Sequence, residues 1–497
     1  MKPKISISIF FIALAGLFVT PGCNKFLQKD LQGTLTQESF PVSAADALLA
    51  TNAVYTTTRE WYYHSGGYPI LDIMSDDARK GSNPMDQLNT VGPYDTFQIT
   101  TTQDGLDRWW DEMYVGIKRA NVVLEKVPAI SMDTAIQNRY LAEAHFLRGL
   151  FYFDMVRAWG GVPLVTTTTP PLKLGRSTEE ATFNLLLADL QFAESHLPLR
   201  SAYLGADMGR ATKGAAQALL ARVYLFRKDF PNAEKYAMEV INSNQYSLES
   251  NYIDANGVNG NNGPESIFEV GALPFEGVEG GGDQYANTQG VRGTPNRGWG
   301  FNRPTIDLMD SYETGDPRRK GTIIYLHDTI DGVVILGDGS TPAVTKDSTG
   351  KIIEIQCYNR KVWTPGNNTA TQWSHHRRLI RYADVLLMAA EALNENNKSS
   401  EALVYLNMVR ARARNGNPDI LPDITTTSQS ELRDIIFNER RHELAMEGWR
   451  FWDLIRTGRA AAILGPLGFK TGTHEHLPIP QNEIDISQGS LTQNPGY

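Results

Sequence analysis

The sequence predicts a mainly α-helical protein: tetratricopeptide-like helical hairpins form a curved scaffold, and a large loop-rich insertion carries a few short strands. Three observations predict this fold class. Apolar residues recur at three- and four-residue spacing over several long stretches, as in amphipathic helices. Small residues lie twelve positions apart in Ala221 with Ala233 and in Ala390 with Ala402, a spacing that lets paired helices approach closely. Between these two pairs lies a long stretch that is rich in glycine and lacks helical periodicity.

The composition fits a globular protein. The chain has 497 residues, of which 41% are hydrophobic, and its formal net charge of −9 argues against nucleic acid as a partner. Of the two cysteines, Cys357 lies in an alternating apolar stretch. We therefore expect Cys357 to be a buried strand residue and not a nucleophile.

The N-terminus has the pattern of a lipoprotein signal peptide. Lys2 and Lys4 precede an apolar run over 5–19, which is too short to span a bilayer but fits a signal peptide. Gly22 and Cys23 follow, as in a lipoprotein cleavage box. We expect a signal peptide at 1–22, lipidation of Cys23, a tether at 23–35 and attachment to a membrane through lipid. The alternative is an ordinary secretory leader with an incidental cysteine.

Residues 36–246 form the predicted N-terminal helical region. A first helix is expected over 36–58 with Ser43 as a plausible cap, and a loop-rich stretch follows over 61–105. Three more amphipathic helices are expected over 107–127, 134–159 and 178–197.

Residues 247–376 form the predicted insertion. Its segment 271–303 holds nine glycines in 33 residues, and short strands are expected over 323–325, 333–336 and 351–358. Loops this long in a compact protein are usually functional, so we expect the ligand to bind here.

Residues 377–497 form the predicted C-terminal helical region with a packed tail. A helix from about Ser430 ends near Gly448, and a second helix carries three large aromatic residues that must dock on a larger body. Glu439, Glu443 and Glu447 lie four apart on one helical face. We interpret them as a ladder of ion pairs that ties helices together, and acid–base catalysis is the less favoured interpretation.

Enzyme signatures are missing from the sequence. His474-Glu475-His476 is too tightly spaced for a helical zinc motif, and His375 and His376 are adjacent. There is no phosphate-binding loop and no nucleophile elbow. We expect no catalytic residue, no metal site and no cofactor.

Aromatic and polar residues in loop-like sequence favour a sugar-binding surface instead. A sugar ring offers an apolar face that packs on Trp or Tyr and hydroxyl groups that bind polar side chains. Packing beneath a loop is the alternative role for each residue taken alone. The candidate ligand-binding residues are Trp61, Arg79, Tyr94, Tyr285, Trp299 and Trp363.

Several motifs resemble the SusD/RagB family over nearly the whole chain. The motifs are ERRHEL at 439–444, RFWDLIR at 450–456, RYADVLLMAAEA at 381–392, YVGIKRAN at 114–121 and LPIP at 477–480. The resemblance implies a surface lipoprotein of the outer membrane, facing outwards, that captures oligosaccharide for a SusC-like TonB-dependent transporter without catalysis. It also implies that loops over 79–97 and 285–301 contribute aromatic side chains to the ligand site.

Three alternatives stay open at this stage. RagB-type members are associated with peptides, so a peptide is an alternative ligand. A surface-attached hydrolase that acts on glycans is a second, because two distant carboxylates cannot be recognised in sequence. A docking scaffold with no ligand of its own is a third.

Overall fold

The computed structural model describes residues 40–64, 69, 71–272, 284–365 and 374–497. The predicted signal peptide and Cys23 lie outside these residues. The helices are α1 (Ala44–Arg59), α2 (Trp61–His64), α3 (Gly92–Asp95), α4 (Leu106–Lys126), α5 (Thr134–Trp159), α6 (Glu179–His196), α7 (Lys213–Phe226), α8 (Phe230–Asn242), α9 (Gln284–Gln289), α10 (Ile306–Ser311), α11 (Pro317–Thr322), α12 (Tyr382–Glu395), α13 (Ser399–Ala413), α14 (Gln429–Leu444), α15 (Arg450–Arg456), α16 (Ala460–Leu464) and α17 (Gln481–Ile486).

The long helices pack as successive neighbours. α4 packs on α5, α5 on α6, α6 on α7 and α7 on α8, which is the arrangement of stacked helical hairpins. α8 then packs on α12, and α12 packs on α13 and α14. The chain therefore leaves the scaffold after α8 and returns to it at α12, which confirms the predicted helical scaffold with a large insertion. None of the helices in the described ranges is long and apolar enough to cross a membrane.

The first helix shows how local sequence sets a helix start. The backbone N–H of Asp46 donates to Ser43 Oγ at 3.2 Å, and the backbone N–H of Ser43 donates to Asp46 Oδ2 at 3.0 Å. This reciprocal capping box confirms Ser43 as the cap. α1 begins at Ala44 and not at position 36, because the capping box fixes the first turn there.

The strands form two-stranded antiparallel sheets. Their bounds are β1 (Ala78–Gly81), β2 (Ser266–Val270), β3 (Phe301–Pro304), β4 (Ile323–Tyr325), β5 (Thr329–Ile330), β6 (Val333–Val334), β7 (Val344–Lys346), β8 (Ile352–Ile355), β9 (Cys357–Asn359) and β10 (Arg377–Arg381). The pairs are β1 with β3, β2 with β10, β4 with β9, β5 with β6, and β7 with β8. The pairing of β2 with β10 joins the two ends of the insertion, with Val270 opposite Arg377 and Ser266 opposite Arg381.

The predicted strands of the insertion are present with changed bounds. The stretch 323–325 matches β4, the stretch 333–336 shortens to β6, and the stretch 351–358 divides into β8 and β9. The insertion also contains three helices of six residues, α9, α10 and α11, which are too short to show a helical period in sequence. Cys357 is fully buried in β9, and burial raises its thiol pKa to about 12, so the thiol is not an activated nucleophile.

A buried ion-pair network holds α14 against the rest of the protein. The Arg381 guanidinium donates to Glu443 at 2.7 Å, to Glu447 at 2.8 Å and to Glu265 at 2.7 Å. Arg412 on α13 also pairs with Glu443. The predicted ion pairs are therefore present, although Glu447 lies beyond the end of α14, and their cations come from β10, α11, α13 and Lys361 and not from the neighbouring residues of α14.

The same helix also contacts the insertion and the N-terminal region. Fully buried Arg318 on α11 lies 2.5 Å from Glu439. Arg441 pairs with Asp77 at 2.7 Å, and Arg450 of the following helix α15 donates to Asp76 at 2.8 Å. These contacts join segments that are 121 to 374 positions apart in sequence.

The aromatic corner after Gly448 docks as predicted. Phe451 and Trp452 are each 2% exposed. The Trp449 ring is partly buried and lies 3.8 Å from the Arg222 guanidinium of α7. The backbone N–H of Gly448 donates to buried Asp72 at 2.8 Å, which fixes the turn between α14 and α15.

We expect Arg381→Ala to reduce the free energy of unfolding by about 3–5 kcal/mol, because it leaves three buried carboxylates without their shared cation. Chemical denaturation measures this change. Arg433→Ala is the matched control, since its pair with Glu395 is partly exposed, with 42% of the Arg433 side chain accessible. That control is expected to cost about 1 kcal/mol or less. Equal losses for the two variants would contradict a special role for the network.

We also expect unfolding to become easier as pH falls from about 4 to 2. Burial alone would raise the pKa of Glu443, but the charges of Arg412 and Arg381 outweigh it and lower the pKa to about 2. The unfolded chain, with a glutamate pKa of about 4.3, therefore takes up this proton first, and stability is lost as pH falls towards 2. Urea unfolding at pH 5, 4 and 3 measures the slope. A free energy of unfolding that stays constant over this range would contradict the prediction.

Candidate ligand-binding surface

Two of the predicted tryptophans pack against each other at the surface. The ring centroids of Trp61 and Trp299 lie 5.1 Å apart, with the ring planes tilted by 43°. Trp61 begins the short helix α2, and Trp299 lies in the glycine-rich segment of the insertion. Trp299 remains 36% exposed. This contact joins the N-terminal region to the insertion and leaves part of the Trp299 side chain exposed to solvent.

The third predicted tryptophan is connected to this pair through Arg297. The guanidinium of Arg297 is 5.4 Å from the ring centroid of Trp363, and the Trp363 indole N–H donates to Asp331 at 2.7 Å. Arg297 and Trp299 are separated by one residue, so their Cα atoms are at most about 7 Å apart. We refer to Trp61, Trp299 and Trp363 as the tryptophan platform.

Two glycines position the segment that carries Arg297 and Trp299. A Cβ atom on Gly298 would lie 2.4 Å from the carbonyl oxygen of Asn287 in α9, so a larger residue would push the segment away from this helix. Gly300 has φ = +75°, a left-handed conformation that favours glycine. The Trp299 backbone N–H donates to the Asn287 carbonyl at 2.8 Å. Backbone packing against α9 therefore fixes the position of the segment that carries Trp299.

Arg79 does not join the tryptophan platform. It lies in β1, opposite Arg303 of β3. Its Nη1 is 3.7 Å from Asp95 and donates to the backbone carbonyl of Ala78 at 3.2 Å. The Arg79 guanidinium therefore contacts neighbouring residues of β1 and α3.

Tyr94 and Tyr285 are corrections to the predicted site, because both lie in the interior. Tyr94 is fully buried and donates its hydroxyl to the Asp104 carbonyl at 3.0 Å. Tyr285 is 4% exposed, and its ring stacks on His64 at 5.9 Å with Arg377 on its face at 4.6 Å. Both residues support the loops from beneath, the alternative role open to every loop aromatic.

A separate concavity of about 700 Å³ lies between α1 and β2. Glu269 is the only carboxylate in its described lining, and it accepts a hydrogen bond from His376 at 2.5 Å. Burial alone would raise the pKa of Glu269, but His376 and the charge of Arg378 outweigh it and lower the pKa. A glycosidase needs two carboxylates, one of them protonated at neutral pH, and this concavity does not offer such a pair.

Metal and cofactor chemistry gains no support from the described residues. Among them, no group of three His, Cys, Asp or Glu side chains could hold a metal ion. His474 stacks on Phe97 at 5.3 Å, and His476 lies 2.9 Å from Glu179, so the two rings of the tight histidine motif have different partners.

The sequence interpretation missed Arg297 and Asp331. Arg297 lies two positions before Trp299 in a segment without helix or turn, where side chains two apart tend to face the same side. That spacing was the available signal. Asp331 carries no comparable signal, because its contact with Trp363 spans 32 positions of the chain.

Two family models match this chain. The model described as "SusD family" matches residues 264–497, and the model described as "Starch-binding associating with outer membrane" matches residues 70–225. SusD-like protein P2 of Formosa agariphila is 30% identical over 98% of this chain and 99% of that protein. A SusD-like protein of Bacteroides ovatus is 27% identical over 92% of this chain and 82% of that protein.

Solved structures share the fold. A laminarin-binding SusD-like protein superposes with a TM-score of 0.76 at 29% identity and covers 92% of this chain and 100% of its own. Surface glycan-binding protein A from Bacteroides thetaiotaomicron, in complex with laminarihexaose, has a TM-score of 0.76 at 25% identity and covers 91% of this chain and 100% of its own. Because SusD-like protein P2 is 30% identical over nearly the full length of both chains, this chain belongs to the SusD family.

Proposed function

We propose that this protein captures oligosaccharide at the cell surface on its tryptophan platform and delivers it to a partner TonB-dependent outer-membrane transporter, without catalysis. The packed and partly exposed pair of Trp61 and Trp299 carries this proposal. A sugar ring packs its C–H face on such rings, and the exposed part of the Trp299 side chain is available for that contact. Similar SusD-like proteins that bind laminarin or laminarihexaose support glycan as the ligand class.

Binding without turnover agrees with the surroundings of the platform. Asp331, the acidic residue that contacts it, is exposed and accepts a hydrogen bond from the Trp363 indole. Protonation of a glycosidic oxygen needs a carboxyl group whose pKa burial has raised. An exposed carboxylate is a poor candidate for this role, so a surface-attached hydrolase is the weaker proposal.

Membrane attachment and delivery belong to the same proposal. One family model is described as associating with the outer membrane, which supports this location. We propose that acyl chains on Cys23 hold the protein at the outer membrane, facing outwards, with 23–35 as a tether. The transporter would then receive the glycan from the platform.

We expect Trp299→Ala and Trp61→Ala each to weaken glycan binding at least about tenfold, because truncation of a central aromatic typically costs more than about 1.4 kcal/mol. Isothermal titration calorimetry with a panel of neutral and acidic oligosaccharides measures this loss, and chromatography of the same mixtures tests for cleavage products. Short peptides complete the panel, since they are the alternative ligand.

Val404→Ala is the matched control for these variants. Val404 is 57% exposed on α13, outside the platform, so its truncation removes exposed apolar surface without touching the rings. Unchanged affinity in both tryptophan variants would contradict the proposed site. Release of shorter glycans by purified protein would favour the hydrolase instead.

Lipidation is tested in the full-length precursor. We expect Cys23→Ala to abolish incorporation of labelled palmitate and to move the protein from the membrane fraction to the soluble fraction, because it removes the atom that carries the acyl chains. Lys25→Ala serves as a control for changes near the cleavage site. Retention of the alanine variant in membranes would contradict a lipid anchor at Cys23.

A further inference from the structure

Arg297 forms no side-chain hydrogen bond and no ion pair within the described ranges. The residue is 5% exposed, and its Nε has no hydrogen-bond partner among the described residues. Every other buried arginine in the described ranges donates a side-chain hydrogen bond or forms an ion pair. Arg303, for example, donates to the Ser82 carbonyl at 2.7 Å. Arg297 therefore differs from the structural arginines of this protein.

The surroundings of Arg297 satisfy its charge only in part. The Trp363 ring lies on one side at 5.4 Å, and cation–π attraction stabilises the guanidinium there. Asp331 is close enough to act on the charge through space, but it forms no ion pair with Arg297 within the described structure, and it accepts the Trp363 indole N–H. The two Nη groups of Arg297 form no hydrogen bond within the described ranges and are not closed off from solvent, so an incoming oxyanion would find donors that are already in place.

We propose that Arg297 binds an anionic substituent, a carboxylate or a sulfate ester, on the oligosaccharide that packs on the tryptophan platform. The planar guanidinium presents paired N–H donors that match either oxyanion. This inference rests on the proposed function and narrows its ligand class to acidic glycans. Arg297 would select the charged sugar, while the tryptophans bind the ring faces.

Asp331 supplies an independent check on this assignment. It acts on the Arg297 charge through space and accepts the Trp363 indole N–H, so its negative charge opposes binding of an anionic sugar. Asp331→Asn keeps an oxygen that can accept the indole N–H and removes the charge. This variant is expected to strengthen binding of acidic glycans about two- to fivefold, with a smaller change for neutral glycans.

The experiment compares matched glycans by calorimetry. The probes are oligogalacturonides with their carboxyl-reduced form, sulfated galactan oligosaccharides with their desulfated form, and neutral laminarin oligosaccharides. We expect wild-type protein to prefer an acidic member over its neutral form by about tenfold or more, and this preference to decrease with added salt. The oligogalacturonide pair tests recognition of a carboxylate, and the sulfated galactan pair tests recognition of a sulfate ester.

Arg297→Gln is expected to lower the affinity for the acidic member to that of its neutral form, with a much smaller change in the affinity for the neutral form itself. Arg297→Lys keeps the charge and is expected to retain part of the preference, which separates charge recognition from a loss of folding. Thermal unfolding of each variant checks the fold.

The outcomes separate this inference from the proposed function. The inference is overturned if the protein shows no preference for acidic glycans, or if that preference survives Arg297→Gln. The proposed function still stands in either case, provided that laminarin oligosaccharides bind and that this binding depends on the tryptophans. If none of these glycans binds, both are overturned.

Discussion

The ion pairs of Arg381 with Glu265, Glu443 and Glu447 are the interaction on which the rest of the structure depends. Arg381 ends β10, where the insertion returns to the scaffold, and Glu443 lies near the end of α14. Both residues are almost completely excluded from water. Charges in such a place are tolerated only when every partner is present, so the scaffold, the insertion and the C-terminal helices must fold together. The network therefore provides specificity of assembly more than net stability.

This assembly positions the tryptophan platform. Trp61 follows directly after the scaffold helix α1, whereas Trp299 and Trp363 belong to the insertion. Their relative placement requires the insertion to be held in one orientation, and the contacts of Arg318 with Glu439 and of Arg441 with Asp77 provide this. A binding surface made from distant segments can be rigid because charged contacts beneath it are buried. Rigid aromatic surfaces bind sugars with little loss of conformational entropy.

The sequence was sufficient for the scaffold and for part of the surface. Helical periodicity predicted α4, α5 and α6 within a few residues, since each buries one face over several turns. Periodicity carries no information about six-residue helices such as α9, and so the support beneath Trp299 was missed. It also cannot separate an interior tyrosine from an exposed one in a loop. Tyr94 and Tyr285 were therefore placed at the surface, although tertiary packing buries them. Trp61 and Trp299 meet through a fold-level contact that only the structure reveals.

The pairing of β2 with β10 closes the insertion at its base, and this has a consequence for how the family can diversify. The two ends of some hundred residues are brought side by side by a short ladder of backbone hydrogen bonds, which depends little on the loops beyond it. This strand pairing can therefore be kept while the segments between the two strands vary. Segments between β2 and β10 can then change in sequence and length while the helical scaffold stays the same.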